Sequence, residues 1–196
     1  FPLVNYNLKG VIWYQGESNT DDPSNYCELF SKMIADWRAR WQRPDLPFLY
    51  VQLANYLRAN EAPTESNWAE LRNQQLLALA NPHTAMASAV DVGEWNDLHP
   101  LDKKSVGERL AVAARAIAYG EPITYSGPLY RGMEVQGNKI ILSFDHVDGG
   151  LEARGGPLRH FAIAGEDGRF RWAQAEIIGD RVAVWHEEIA EPKAVR

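Results

Sequence analysis

A chain of 196 residues with 45% hydrophobic content is long enough for one large domain or two small ones around a real core. Its net charge of −6 argues against a nucleic-acid surface, which needs a basic patch, and no apolar run approaches the roughly 20 residues of a membrane span. Cys27 is the only cysteine, which rules out an internal disulfide and leaves the redox compartment open.

The first apolar run, residues 10–14, reads as a short buried strand that leads straight into Gln15, Gly16, Glu17, Ser18 and Asn19. A buried strand that delivers polar side chains at its end is how open α/β sheets build active sites. Asp22-Pro23 then offers a helix start, and Tyr26, Leu29, Phe30, Met33, Ile34, Trp37 and Trp41 follow at helical spacing until Pro44 and Pro47. Residues 48–53 (FLYVQL) form a second buried strand. Asn67 with Glu70 reads as an N-cap and its capping-box partner, and Trp68, Leu71, Leu76 and Leu79 carry that helix to Asn81-Pro82. A third strand is expected over 84–92. Val106, Leu110, Ala113, Ala114 and Ile117 mark a third helix, closed by Gly120. The order βαβαβα implies a parallel sheet with right-handed crossovers, so the polar loops after each strand, residues 15–19, 54–60 and 93–99, lie on one carboxyl edge.

Beyond Gly120 the hydrophobic period changes to two. Residues 134–144 read as a hairpin around Gly137-Asn138. Residues 161–164 and 170–173 flank a turn at 165–168, and 177–178 and 182–185 flank Gly179-Asp180. This part is expected to be antiparallel β-sandwich material. The domain division is placed near Glu121-Pro122, giving residues 1–121 and 122–196. The chain opens at Phe1 with no initiator Met and no signal-peptide pattern, so it is expected to be a piece of a longer polypeptide.

His99 follows the third strand's loop, and Asp97 precedes it by two residues. Ester hydrolysis needs an imidazole base oriented by a carboxylate. A lone His before Pro100 more often caps a turn. The company of Trp95, Asn96 and Asp97 favours a catalytic role for His99. Gln15 can aim its amide N–H at a developing oxyanion, and Glu17 can fix the loop or act as an acid. The bland alternative is a strand-end loop that satisfies its own backbone. Gly16-Glu17-Ser18-Asn19 lacks the second glycine of a G-x-S-x-G elbow, so Ser18 is read as a loop residue. Cys27, inside an amphipathic helix without a nearby cation, reads as packing. His83, His146, His160 and His186 have no metal-ligand spacing, Asp145-His146-Val147-Asp148 reads as a strand end, and no metal or other cofactor is expected.

Several stretches together resemble the sialate O-acetylesterase family of SGNH-type carbohydrate esterases. They are residues 10–19 (GVIWYQGESN), Asp36-Trp37-Arg38, residues 47–53 (PFLYVQL), residues 68–74, and residues 97–100 leading to Gly107-Glu108-Arg109-Leu110 and Tyr119-Gly120. The resemblance covers most of residues 1–125 and, more loosely, the β part. It implies a flavodoxin-like three-layer α/β/α domain joined to β-sandwich material. It also implies removal of O-acetyl groups from sugars, sialic acids included, by a serine mechanism without metal. The family's nucleophile belongs to an early Gly-Gln-Ser-Asn motif that this sequence lacks, so the first strand and the serine are expected upstream. By resemblance His99 is the base, and Gln15, Glu17, Asn19 and Trp95 line the oxyanion and substrate side. The broader D-x-x-H pattern meets Asn96, with Asp97 one residue later. The acid is therefore either Asp97, or the site is a Ser–His dyad with a backbone or Asp91 partner. The resemblance further implies an O-acetylated carbohydrate substrate, association with an N-terminal portion and a periplasmic or secreted location.

Two other classes stay open from the residues alone. Seven Trp and eight Tyr would furnish a non-catalytic carbohydrate-binding module with stacking faces. Glu17 and Asp97 would furnish the carboxylate pair of a glycosidase.

Overall fold

The computed structural model describes residues 3–196. They fall into two compact units: residues up to 59 together with 65–126, and residues 60–64 together with 127–196. No helix among the described residues is long and apolar enough to cross a membrane.

In the first unit β1 (Val11–Trp13), β2 (Phe48–Gln52) and β3 (Thr84–Ser88) form a parallel sheet in the order β1-β2-β3. Three helices accompany it: α1 (Tyr26–Arg40), α2 (Asn67–Leu77) and α3 (Lys103–Ile117). The central strand is apolar on both faces because both are covered. Phe48 and Tyr50 meet α1, with Phe30 edge-on to Tyr50 at 5.0 Å and Trp37 edge-on to Phe48 at 5.9 Å between ring centroids. Leu49 and Val51 pack with Val106, Leu110 and Ala113 of α3. The alternation of a strand thus sends successive side chains to different helices.

The buried stripe of α1 is Tyr26, Phe30, Ile34 and Arg38, one residue per turn. Arg38 ends that stripe without a carboxylate. Its Nε donates to the Leu46 carbonyl at 3.1 Å and its Nη2 to the Pro82 carbonyl at 2.7 Å, which ties together the entries to β2 and β3. Burial lowers its pKa from the usual arginine value. A cleft of about 410 Å³ lined by Arg38, Gln42, Pro44 and Asn81 lies at this amino edge, away from the polar loops.

Four local expectations are corrected. The strand β1 lies at a sheet edge, and Ile12 is 65% exposed, because no strand among the described residues pairs with its outer side. Helix α1 begins at Tyr26, with Pro23–Asn25 forming a separate 3₁₀ turn before it. The N-cap of α2 is Ser66, not Asn67: its Oγ accepts from the Ala69 N–H at 3.3 Å, and Glu70 accepts from Gln74 instead of reaching back. The third strand stops at Ser88 because β2 ends at Gln52. The Ala89 N–H takes the Gln52 carbonyl, and the chain then turns through Val92.

The second unit is all β. Its strands are β4 (Leu129–Gln136), β5 (Lys139–Asp145), β6 (Ala162–Ala164), β7 (Arg171–Trp172), β8 (Gln174–Ile178), β9 (Arg181–Trp185) and β10 (Ala194–Val195). They make two antiparallel sheets, β4-β5-β9-β8 and β10-β6-β7. The three expected strand pairs are present, and Gly137 and Gly179 take the positive φ that their two-residue turns require. Ile140, Leu142, Val182 and Val184 from one sheet share a core with Ile163 of the other and with Ile189. The pairing of β10 joins the chain's end to β6, a contact no local pattern announces.

Candidate active site

The polar loops after β1, β2 and β3 emerge at the same edge of a parallel sheet, and hydrogen bonds lace them together. The Asn55 Oδ1 accepts from the Gly93 N–H at 2.8 Å, and the Leu57 N–H donates to the Trp95 carbonyl at 2.9 Å. The two loops approach so closely that a Cβ on Gly93 would sit 2.3 Å from the Asn55 carbonyl oxygen, which only glycine permits. Leu57 is held with φ of 68°, a left-handed conformation uncommon for a side chain of its kind.

The loop after β1 is anchored from behind by α2. Gln75 is fully buried, and its amide serves three backbone groups. Its Oε1 accepts from the Leu53 N–H at 2.9 Å, while Nε2 donates to the Val51 carbonyl at 3.2 Å and to the Gln15 carbonyl at 3.3 Å. The same Gln15 oxygen accepts from the Tyr26 hydroxyl at 2.9 Å. Burial raises the Tyr26 pKa, which keeps that hydroxyl a donor. Gly16 rests on the Gln75 amide, where a Cβ would come within 3.1 Å of Nε2.

With its backbone so fixed, Gln15 directs its side-chain amide to Asn19, donating to Oδ1 at 2.7 Å. Glu17 and Asn19 lie on a 3₁₀ turn, Glu17–Asn19, and both are partly buried, whereas Ser18 between them is exposed. Tyr14 sits under this turn, its pKa raised by burial and secondarily by the Glu17 carboxylate. Lys103, at the start of α3, places its Nζ 5.4 Å from the Tyr14 ring centre, so the segment after His99 returns over the end of β1.

The loop after β3 holds Trp95, Asp97 and His99. Trp95 is half exposed and carries the Arg58 guanidinium 4.7 Å from its ring centre. Among the described residues no hydrogen bond joins Asp97 to the His99 ring. The Asp97 Oδ1 accepts from the backbone N–H of His99 at 2.7 Å, an Asx turn that shapes the chain before buried Pro100. The His99 imidazole is exposed and makes no hydrogen bond among the described residues. Asp91 is committed elsewhere, holding Arg109 through both carboxylate oxygens at 2.6 and 2.7 Å. Among the described residues no hydrogen bond joins the Gln15–Asn19 segment directly to the Trp95–His99 segment; each is tied instead to the end of β2.

Gln75 and Asn55 are absent from the residues singled out in the sequence, and Tyr26 stands there only as part of the apolar stripe of α1. One signal for Gln75 was available: it occupies the position between Leu71 and Ala78 on the buried stripe of α2, where an amide has no reason to be unless the backbone uses it.

The sequence profile described as "Carbohydrate esterase, sialic acid-specific acetylesterase" matches residues 3–116, all three strands and all three helices of the first unit nearly to the end of α3. The chain belongs to this esterase family. Curated relatives agree. Mouse sialate O-acetylesterase is 35% identical over 164 residues, covering 74% of this chain and 30% of its own length. The human sialate O-acetylesterase is 34% identical, covering 74% of this chain and 31% of its own. The crystal structure of a carbohydrate acetylesterase from Xanthomonas citri superimposes with a TM-score of 0.90 at 45% identity, covering 100% of this chain and 46% of that one. This family member thus spans about a third of its curated relatives and under half of that solved enzyme.

Proposed function

We propose that this chain is the part of a sugar O-acetylesterase that carries the base and the oxyanion-side loop, sialic acids being among the substrates. The observation that carries the reading is the family match over residues 3–116, the stretch that builds all three edge loops. In this reading the first unit is the later portion of a flavodoxin-like SGNH domain, and the serine lies outside these residues.

The chemistry follows from the groups at the edge. The imidazole of His99 takes the proton of the serine hydroxyl as its oxygen attacks the acetyl carbonyl. Negative charge grows on the former carbonyl oxygen, and the Gln15 amide, released from Asn19, donates to it. Collapse breaks the bond to the sugar oxygen, which takes the proton from His99 and leaves as a hydroxyl, and an acetyl-serine remains. Water then repeats the cycle, yielding acetate and free enzyme. Trp95 offers a face for the sugar ring, and Glu17 with Asn19 shapes the turn that presents Gln15. Asp97 acts through the backbone, placing His99 rather than polarising it. The test is acetate release from O-acetylated sialic acid by the complete enzyme, abolished by His99→Ala with the fold intact. The 196-residue chain by itself is expected to turn over 4-nitrophenyl acetate negligibly. Turnover that Ser18→Ala removes would instead make Ser18 the nucleophile.

A further inference from the structure

His99 lies on a connection whose two ends are joined by one side chain. Arg109 of α3 donates from Nη1 and Nη2 to the two carboxylate oxygens of Asp91, at 2.6 and 2.7 Å, and from Nη1 to the Ser88 carbonyl at 2.6 Å. Ser88 ends β3, and Asp91 stands in the turn just after it. Arg109 and Asp91 are 18 positions apart, and Trp95, Asp97 and His99 all fall between them. The acid-paired helical arginines Arg40 and Arg115 find their carboxylates only four and six positions away.

The His99 imidazole makes no hydrogen bond among the described residues, so its position is inherited from its backbone. Short-range bonds shape parts of that backbone. Asp97 accepts from the His99 N–H, and Asp102 caps α3 by accepting from the Ser105 N–H at 2.9 Å. Arg109 sets the closure, fixing the direction in which the chain leaves β3 against the helix that follows His99. A planar fork held by two carboxylate oxygens and a carbonyl has little freedom to turn. Both side chains are considerably exposed, so the pair adds little to stability, and what it supplies is geometry. A general base needs that geometry, since a displacement of about 1 Å can cost on the order of 10²-fold in rate.

We infer that Arg109 is a positioning residue for the His99 base, closing the loop that carries it by clamping Asp91 and the Ser88 carbonyl. The inference rests on the esterase reading and adds to it a group that acts only through the loop. Asp91 serves the base in the same indirect way, because both of its oxygens are taken by Arg109.

The experiment is a double-mutant cycle in the complete enzyme, read by acetate release, with circular dichroism confirming each fold. Arg109→Gln is expected to lower kcat at least about tenfold while KM stays within about twofold, and Arg109→Lys, which keeps the charge but not the fork, to lose less. In the His99→Ala background, Arg109→Gln should change the residual kcat by less than about twofold, because the group it positions is gone. A residue that merely holds the fold together would cost as much in both backgrounds. Equal fold-losses therefore overturn the inference, as does full kcat in Arg109→Gln. Should that variant not fold, Asp91→Asn loosens the same clamp, leaves Arg109 on Ser88 and enters the same cycle. In the 196-residue chain, amide exchange of the hydrogen-bonded Gly93 and His99 N–H groups should quicken at least about tenfold in Arg109→Gln while that of Leu53 N–H is unchanged. Uniform acceleration, or none, overturns the inference. A complete enzyme that His99→Ala leaves untouched overturns the esterase reading and this inference together, whereas additive losses overturn the inference alone.

Discussion

Gln75 and Gln15, sixty positions apart in the chain, are joined by a hydrogen bond from the Gln75 amide nitrogen to the Gln15 carbonyl at 3.3 Å. Because the same amide also takes the Leu53 N–H and the Val51 carbonyl, one buried side chain registers the loop after β1 against the end of β2. Tyr50 completes the arrangement, its hydroxyl donating to the Gln75 main-chain carbonyl at 2.8 Å.

Gln75→Leu keeps the volume and removes the three bonds. The Leu53 N–H would be buried without a partner, and two carbonyls would each lose a donor. A loss of about 3 kcal/mol is expected, given roughly 1–3 kcal/mol for each buried group left unsatisfied. Urea unfolding monitored by tryptophan fluorescence measures it. A change indistinguishable from zero would mean that the amide is dispensable.

Gly93→Ala tests the interlock between the loops after β2 and β3. The new methyl would meet the Asn55 carbonyl oxygen at 2.3 Å, a backbone atom, and the Ala54 Cβ at 2.8 Å, a side-chain atom with no rotamer to move away by. Destabilisation of about 1–3 kcal/mol is expected from such overpacking. Chemical-shift changes should concentrate in residues 54–60 and 93–99. Thermal melts and a two-dimensional amide spectrum check both parts.

His99 and Asp97 separate under substitution in the complete enzyme. His99→Ala should lower kcat/KM by roughly 10²–10⁴-fold, the usual worth of a general base. Asp97→Asn should cost far less, because an amide oxygen still accepts from the His99 N–H and preserves the turn. Asp97→Ala should fall between them. Were Asp97 the triad acid, the Asn variant would instead lose on the order of 10⁴-fold through the wrong histidine tautomer.

The Asp91–Arg109 pair sets a pH dependence of stability. Hydrogen bonding to Arg109 holds the Asp91 carboxyl below its ordinary pKa. The folded state therefore favours the ionised form. The stabilisation is present above the unfolded-state value of about 3.9 and is lost as pH falls through the lower folded value. Both side chains are considerably exposed, so the effect stays within about 1 kcal/mol. Asp91→Asn should lower Tm near neutral pH and match the parent chain in strong acid. A gap that persists in acid would place the effect outside the ion pair.

The alternation of strand and helix over residues 10–117, and the change to paired strands after it, are legible because hydrophobic period is a local property. The same holds for the turns at Gly137 and Gly179, where two-residue connections leave few alternatives. One-residue errors arise where neighbours are chemically equivalent: Ser66 and Asn67 are both good caps, and which one caps depends on where the chain enters the helix. The exposure of Ile12 is invisible locally, because an edge strand and a central strand have the same composition.

The site divides along the same line. Gln15, Glu17, Asp97 and His99 stand out as polar residues after apolar strands, a signal carried by the chain itself. Their arrangement does not. Asp97 precedes His99 by two residues in a spacing that suits an acid–base pair, yet the folded loop turns its carboxylate onto the His99 backbone. Gln75 and Arg72 read as ordinary polar residues of an amphipathic helix. Only packing shows that the first is fully buried and feeds three backbone groups, and that the second faces the β2 loop without an acid. Strand and helix follow from interactions within a few residues. Hydrogen-bond partners and counter-ions follow from which distant segments meet, and that is settled only when β1, β2, β3 and α2 come together.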